Sequence, residues 1–271
     1  MTTLRMAAVS ANFGRDIDVA LVTVAKLIAE AREQGVGLLV LPEATLGGYL
    51  ASLDGTAEGP PPLEVDGPEI GRLAALAGDM VVTAGFCERG EGTVYNSAVC
   101  VTGDGVLAVH RKVHQPLLES ASYGAGQRFE AFDTPVGRLG MMICYDKAFP
   151  EAARALALGG AQVVACMSAW PGSRTNPAPD LRQDRWKRRF DLFDRANALQ
   201  NQLVWVSANQ TGDFGTLRFV GSAKIVDPGG EILDDTGVGE GVAVAELDVP
   251  AALEQARRAM GHLRDRRPDA Y

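Results

Sequence analysis

The chain has 271 residues, 46% of them hydrophobic and 22% charged, with a formal net charge of −8. That balance is ordinary for a globular protein, and its acidic sign argues against a nucleic-acid binder. No apolar run approaches the ~20 residues of a membrane span, and no Pro/Gly/Ser-rich linker divides the chain, so residues 1–271 are expected to form a single domain.

Residues 4–12 read as a first strand. Residues 16–34 carry Ile17, Ala20, Leu21, Val24, Leu27, Ile28 and Ala31 at helical spacing, with Gly35 as the stop. Leu38-Leu39-Val40-Leu41 is a continuous apolar run, the mark of a strand buried on both faces. Pro42 ends it and Glu43 follows, at the strand end where open α/β sheets build their sites; an exposed loop glutamate would look the same. Residues 68–77 fit a helix. Residues 80–88 and 94–102 fit strands, and Gly103-Asp104-Gly105 turns a hairpin into residues 106–114. There His110, Lys112 and His114 alternate and would share one face if the strand reaches that far.

Residues 115–128 are irregular and polar and contain Glu119. A short strand at 129–132 and a turn at 134–137 lead into Gly140-Met141-Met142-Ile143-Cys144-Tyr145-Asp146, followed by Phe149-Pro150-Glu151. This reads as a buried strand, a sharp turn carrying Cys144, and a helix opening at Pro150. A thiol so placed would have backbone N–H groups and a helix field to favour a thiolate and an oxyanion; a packed core cysteine is the alternative. Residues 162–167 form another buried strand, with Ser168-Ala169-Trp170-Pro171 as the loop beyond it. Residues 180–201 read as one long helix dense in Arg and aromatics. Strands follow at 203–208, 221–226, 231–233 and 242–247, then a helix at 250–260. Together these predict a layered α/β protein with mixed sheets.

The cysteines at 87, 100, 144 and 166 are widely spaced, which disfavours a disulfide framework or a zinc cluster. The chain also lacks the phosphate-binding glycine motifs, which weakens dinucleotide and P-loop readings. Glu43, Lys112 and Cys144 each end a predicted strand. A thiol with an ordinary pKa of ~8.5 needs a base or a cation to act at neutral pH. Glu43 can take its proton, and Lys112 can stabilise the oxyanion formed when sulfur attacks a carbonyl. That combination suits hydrolysis at a C–N bond without histidine.

These residues resemble the nitrilase superfamily of carbon–nitrogen hydrolases over nearly the whole chain. The blocks that carry the resemblance are Leu41-Pro42-Glu43 with Gly48-Tyr49, Arg111-Lys112-Val113-His114, and Gly140 through Cys144-Tyr145-Asp146 to Glu151. Tyr95-Asn96-Ser97 and Ser207-Ala208-Asn209 support it. The resemblance implies a four-layer αββα sandwich with two mixed β-sheets. It also implies Glu43 as general base, Lys112 as oxyanion stabiliser, Cys144 as nucleophile and Glu119 as a second carboxylate orienting Lys112. Tyr145 would supply a backbone N–H to the oxyanion. Tyr49 and Trp170 are candidate pocket walls, with a packed aromatic at the loop start as the other reading of Trp170, and Arg174 and Arg185 are either partners for a substrate carboxylate or ordinary surface arginines. The partners implied are a small amide, carbamoyl or nitrile substrate and a second copy of the chain in a homodimer or larger assembly; no metal, organic cofactor, nucleic acid or membrane is implied.

Nitrilases carry Trp-Glu after the cysteine, whereas this chain has Tyr145-Asp146. The expected reaction is therefore cleavage of a small amide or N-carbamoyl compound. A nitrilase activity or a non-catalytic binding role stand as alternatives. The amino-terminal residues lack the long apolar region of a signal peptide, so the expected compartment is the cytoplasm.

Overall fold

The computed structural model describes residues 3–270. In chain order these form β1 (Leu4–Ala11), α1 (Ile17–Glu33), β2 (Leu38–Val40), α2 (Pro68–Ala77), β3 (Val81–Arg89), β4 (Val94–Thr102) and β5 (Gly105–Arg111). Next come β6 (Ala131–Thr134), β7 (Gly137–Ile143), α3 (Pro150–Leu158), β8 (Val163–Ser168), α4 (Arg185–Asn201), β9 (Val204–Phe214) and β10 (Leu217–Val220). The last elements are β11 (Lys224–Val226), β12 (Ile232–Asp235), β13 (Gly241–Leu247) and α5 (Val249–Ala259). Among the described residues no helix is long and apolar enough to cross a membrane.

The sheet runs β5-β4-β3-β2-β1-β9-β8-β7-β6. Its interior pairs are parallel, and antiparallel hairpins close both ends: β3, β4 and β5 at one, β6 and β7 at the other. The halves are joined by backbone pairing where Ser10 and Ala11 of β1 meet Asn209 and Gln210 of β9. In place of two separate sheets, one hydrogen-bonded mixed sheet folds back on itself. Two-residue alternation then sorts the side chains. Met6, Ala8, Leu38 and Val40 share a core with Met141, Ile143, Ala165, Met167 and Val206 of the opposite half. Their neighbours Ala7, Val9, Leu39 and Leu41 face α1 and α2 instead, and Met142, Val164, Cys166 and Trp205 pack with α3 and α4 residues. Full burial of each Leu or Val contributes about 1.5–3 kcal/mol, which explains why β2 holds its place with only three residues.

Local chemistry trims the expected elements. Asp16 caps α1 by accepting from the Val19 N–H, so the helix starts at Ile17, one residue inside the expected range. Strand β5 stops at Arg111, which leaves Lys112 and His114 beyond it. The long helix expected over 180–201 is broken by a 3₁₀ turn at Leu181–Gln183, and Asp184 then caps α4. β9 continues past Asn209 to Phe214 and turns into β10, a hairpin hidden in the sequence by its polar residues. All four cysteines are free and buried.

Candidate active site

The strand ends bring three of the expected residues into direct contact. Lys112 Nζ lies 2.8 Å from Glu43 Oε1 and 2.7 Å and 3.0 Å from the two oxygens of Glu119. All three side chains are fully buried. Each is delivered by irregular backbone anchored to regular strands. Leu41 N–H donates to Thr83 O, and Gly85 N–H to Pro42 O, so the chain leaving β2 is clamped onto β3 at Glu43. Only glycine fits at position 85: a Cβ there would lie 2.3 Å from Ala44 N and 2.6 Å from Glu43 Cα. Lys112 N–H donates to Asn96 O, and Gly126 N–H to Lys112 O. Gly126 is likewise obligatory, since its Cβ would sit 2.1 Å from Arg111 O. Glu119 opens a 3₁₀ turn, Glu119–Ala121, in the segment that read as irregular.

Cys144 ends β7 in a left-handed conformation, φ 54°. Such a conformation costs a non-glycine residue on the order of 1 kcal/mol and persists only where the surroundings impose it. Here Asp146 imposes it: its Oδ2 accepts the Ile143 N–H, bracketing a 3₁₀ turn over Cys144–Ala148. Asp146 Oδ1 in turn accepts from the His114 N–H at 2.8 Å and meets His114 Nδ1 at 2.9 Å, while His110 Nε2 lies 3.4 Å from Oδ2. His110 and His114 thus do share a face, but it is directed at the nucleophile's turn, and Lys112 between them goes elsewhere. Ala44 (φ 58°) and Leu117 (φ 53°) are also left-handed, so three of the five left-handed non-glycine positions among the described residues lie at or within two residues of Glu43, Glu119 and Cys144, the others being Gln202 and Ser222.

The electrostatics differ from expectation in one respect. Burial pushes the Cys144 thiol well above its ordinary pKa and Glu43 adds to the rise, while Lys112 and the Ala169 N–H oppose it without prevailing. Helix α3 begins only at Pro150, beyond the 3₁₀ turn, so its field does not sit directly on the sulfur. The resting thiol is therefore protonated and requires a base. Burial opposes the charge on Lys112, but Glu119, Glu43 and Cys144 raise its pKa well above the ordinary value, so it stays an ammonium. Burial also raises Glu119, with Lys112 lowering it and Glu43 raising it further. Ala169 N–H donates to Glu43 Oε2 at 2.6 Å and also faces the thiol, tying Glu43 to Cys144 through one backbone group.

The remaining predicted residues divide. Tyr49 is buried with its ring centroid 5.7 Å from Lys112 Nζ. Tyr145 is half-buried, and its ring meets Phe149 edge-on rather than entering the buried centre. The Trp170 indole turns towards α4, donates from Nε1 to Trp186 O and packs on Trp186, Phe190 and Phe193. Its backbone neighbour Ala169 is the one that reaches the centre. Arg174 and Arg185 are exposed, and Arg185 is spent on Ser173 and Thr175. Sequence reasoning assigned no role to Asn96 or Tyr123. Asn96 Nδ2 lies 2.7 Å from both Glu43 Oε1 and Glu119 Oε1. Tyr123 is buried beside Cys87, Glu119 and Glu43, which together with desolvation hold its phenol well above its ordinary pKa. An asparagine in mid-strand among buried residues was a visible signal; Tyr123, in an irregular segment, gave none. Among the described residues no group of three His, Cys, Asp or Glu side chains is arranged to hold a metal ion.

Known proteins resemble this chain in sequence and in fold. The Carbon-nitrogen hydrolase family matches residues 5–257. An (R)-stereoselective amidase from a Pseudomonas species is 36% identical over 259 residues, covering 94% of this chain and 88% of the amidase. The crystal structure of a carbon–nitrogen hydrolase from Helicobacter pylori G27 superposes with a TM-score of 0.84 at 27% identity, covering 99% of this chain and 97% of that one. A mutant amidase from Nesterenkonia sp. AN1, solved with the acetamide moiety of fluoroacetamide added covalently at its active-site cysteine, gives a TM-score of 0.75 at 26% identity, with 97% of each chain covered. By sequence and by fold, then, this chain belongs to the carbon–nitrogen hydrolase family.

Proposed function

We propose that the protein hydrolyses the C–N bond of a small carboxamide or N-carbamoyl compound, with Cys144 as nucleophile, Glu43 as base, Lys112 as oxyanion stabiliser and Glu119 orienting Lys112. The observation that carries this is a single buried ammonium held between two carboxylates beside a protonated thiol on a strained turn. Glu43 Oε2 takes the thiol proton as Sγ bonds to the carbonyl carbon. The oxyanion is met by Lys112 Nζ and by the Tyr145 backbone N–H. Collapse of the tetrahedral adduct breaks the C–N bond, and the proton held on Glu43 goes to the departing nitrogen, leaving a thioester and ammonia or an amine. Water then gives a proton to Glu43 and its hydroxyl to the thioester carbon. The second collapse releases the acid and a thiolate that recovers the proton. No cofactor takes part.

Burial of the whole centre favours a small substrate. Tyr49, Tyr123, Leu50 and Phe219 group with Ala169 in one apolar cluster next to it and suit an uncharged acyl group. The test is ammonia release from a panel of amides, N-carbamoyl amino acids, ureides and nitriles. Absence of turnover on every amide and carbamoyl compound, with Cys144 inert to alkylation, would overturn the reading. We further propose that the folded halves of the sheet and the helices outside them form a four-layer αββα sandwich, and that protomers pair as a homodimer. The aromatic residues of α4 do not support pairing, because Phe190 is buried and Trp186 and Phe193 pack on Trp170. Leu158 on α3 and Leu192 on α4, both more than half exposed, support it instead. Light scattering that gave a monomer at micromolar concentration would remove this part.

A further inference from the structure

We infer that Asn96 is a positioning residue that selects which oxygen of Glu43 accepts the proton from the nucleophile. The inference rests on the proposed roles of Glu43 and Cys144. Asn96 lies in β4 opposite Cys87 of β3, and its side chain is buried. Its Nδ2 lies 2.7 Å from Glu43 Oε1 and 2.7 Å from Glu119 Oε1. A carboxamide has two N–H donors on that nitrogen, and here each goes to a different carboxylate. The flipped amide would aim Oδ1 at two anions, so charge fixes the orientation.

The same two oxygens also receive Lys112 Nζ, at 2.8 Å and 3.0 Å. Glu43 Oε1 and Glu119 Oε1 are therefore bridged twice, once by an ammonium and once by a neutral amide. With Oε1 occupied by two donors, the basic lone pair left on Glu43 belongs to Oε2. That oxygen holds only the Ala169 N–H, the group that also faces the Cys144 thiol. Lys112 alone cannot impose this, because an ammonium rotates freely about its last bond and has three equivalent donors. The planar amide, fixed in a strand, holds both carboxylates in one orientation.

Substitution of Asn96 thus alters proton transfer as well as packing. The ionisable groups facing the pair are Lys112, Cys144, Tyr49 and Tyr123, with Cys87 behind Tyr123. None of these supplies a replacement neutral donor to both oxygens. In Asn96→Ala the acid limb of kcat/KM is expected to move up by about one pH unit, and kcat to fall about tenfold or more with KM little changed. Asn96→Ser, which retains one donor, should lie between the two. It also carries the test if the alanine variant does not fold.

Two readouts separate this inference from the reading beneath it. The rate at which iodoacetamide alkylates Cys144 is measured against pH, alongside amide hydrolysis. Alkylation needs no productive substrate, so it reports the thiol and its base directly. If both limbs move together in the Asn96 variants, the inference stands. If the variants fold and lose rate with an unchanged pH profile in both assays, Asn96 is structural and the inference fails. If wild-type Cys144 is not the alkylated residue, the assigned nucleophile itself is wrong.

Discussion

Two buried ion networks flank the nucleophile's turn, built from the same kinds of residue and doing opposite things. One is Glu43, Lys112, Glu119 and Asn96. The other lies under α4: Lys147 Nζ is 2.6 Å from Asp194 Oδ1, Trp205 Nε1 donates to that same oxygen, and Lys224 bridges Asp194 Oδ2 and Asp191 Oδ1 at 3.1 Å each. Lys187 closes the set on Asp191 Oδ2 at 2.7 Å. Each of these carboxylate oxygens has a cationic partner, and the two buried ammoniums also lie 3.5 Å and 4.2 Å from the Phe190 ring. The second network has more cations than anions, and every one of its carboxylate oxygens is already held by an ammonium. The first has more anions than cations, and one carboxylate oxygen is left to a lone backbone N–H beside a thiol. Burial and ion pairing alone do not mark a reactive centre; an unfinished charge balance next to a nucleophile does.

This contrast is broken most directly by substitution. Cys144→Ala should reduce amide turnover by about 10⁴-fold or more while leaving thermal unfolding near wild type. Glu43→Gln should be similarly inactive, since it keeps the shape but cannot accept the proton; near-normal rates would shift the base role to Glu119. Lys112→Ala should lose at least about 100-fold in kcat, and a loss confined to KM would make it a binding residue instead. Asp194→Ala inverts the pattern: it leaves Lys147 and part of Lys224 unpaired in the interior, at a cost of about 3–5 kcal/mol in stability. Denaturant titration checks that cost. An Asp194 variant that stayed fully stable but lost kcat would place the second network in the chemistry and erase the distinction.

How much of this was legible beforehand follows from the range of the interactions. The Cys144 elbow could be read because an apolar run ending in polar residues is a local pattern, and the left-handed turn sits where the pattern changes. Glu43 and Lys112 also stand at strand ends, but their meeting depends on β2 and β5 being placed on either side of β3 and β4. Only the family resemblance linked them before the fold was known. Asn96 touching two carboxylates 53 and 23 residues away has no local sign of that pairing. The Trp170 side chain was ambiguous because a loop aromatic can face a pocket or a helix, and the choice was made by α4, which lies further along the chain. The β9–β10 hairpin was missed because its strands are held by pairing rather than by apolar alternation.

A smaller effect sharpens the comparison from the acid side. Burial would raise Asp146, but its hydrogen bonds to His110 and His114 prevail and lower it from 3.8 to about 2. A depressed carboxyl stabilises the fold above its unfolded pKa, and that contribution is lost as pH falls through the folded value. About 2 kcal/mol should therefore disappear between about pH 4 and pH 2. Asp146→Asn should flatten the stability profile in that window. An unchanged acid limb in the variant would show that Asp146 does not carry the coupling.

The smallest expected effect concerns the bond that is cleaved. Both an amide and a nitrile can be attacked by Cys144, so the core residues do not choose between them, and the choice falls to the turn. Nitrilases place Trp-Glu after the cysteine; here Asp146 is short enough for its two oxygens to meet Ile143 N–H, His114 and His110 together. His114 in turn stacks on Phe149 at 3.7 Å, and Tyr145 meets Phe149 edge-on. A glutamate carries one more methylene and cannot occupy the same position without moving the turn that fixes the sulfur. In the proposed mechanism amide cleavage also uses a proton handed from Glu43 to the leaving nitrogen, which the Oε2 geometry favours, whereas a nitrile must first pass through a thioimidate. The expected outcome is an amide preferred over the nitrile of the same acyl skeleton in kcat/KM. A nitrile preferred by about tenfold, or about 1.4 kcal/mol in transition-state stabilisation, would show that the Tyr145-Asp146 turn does not set the choice.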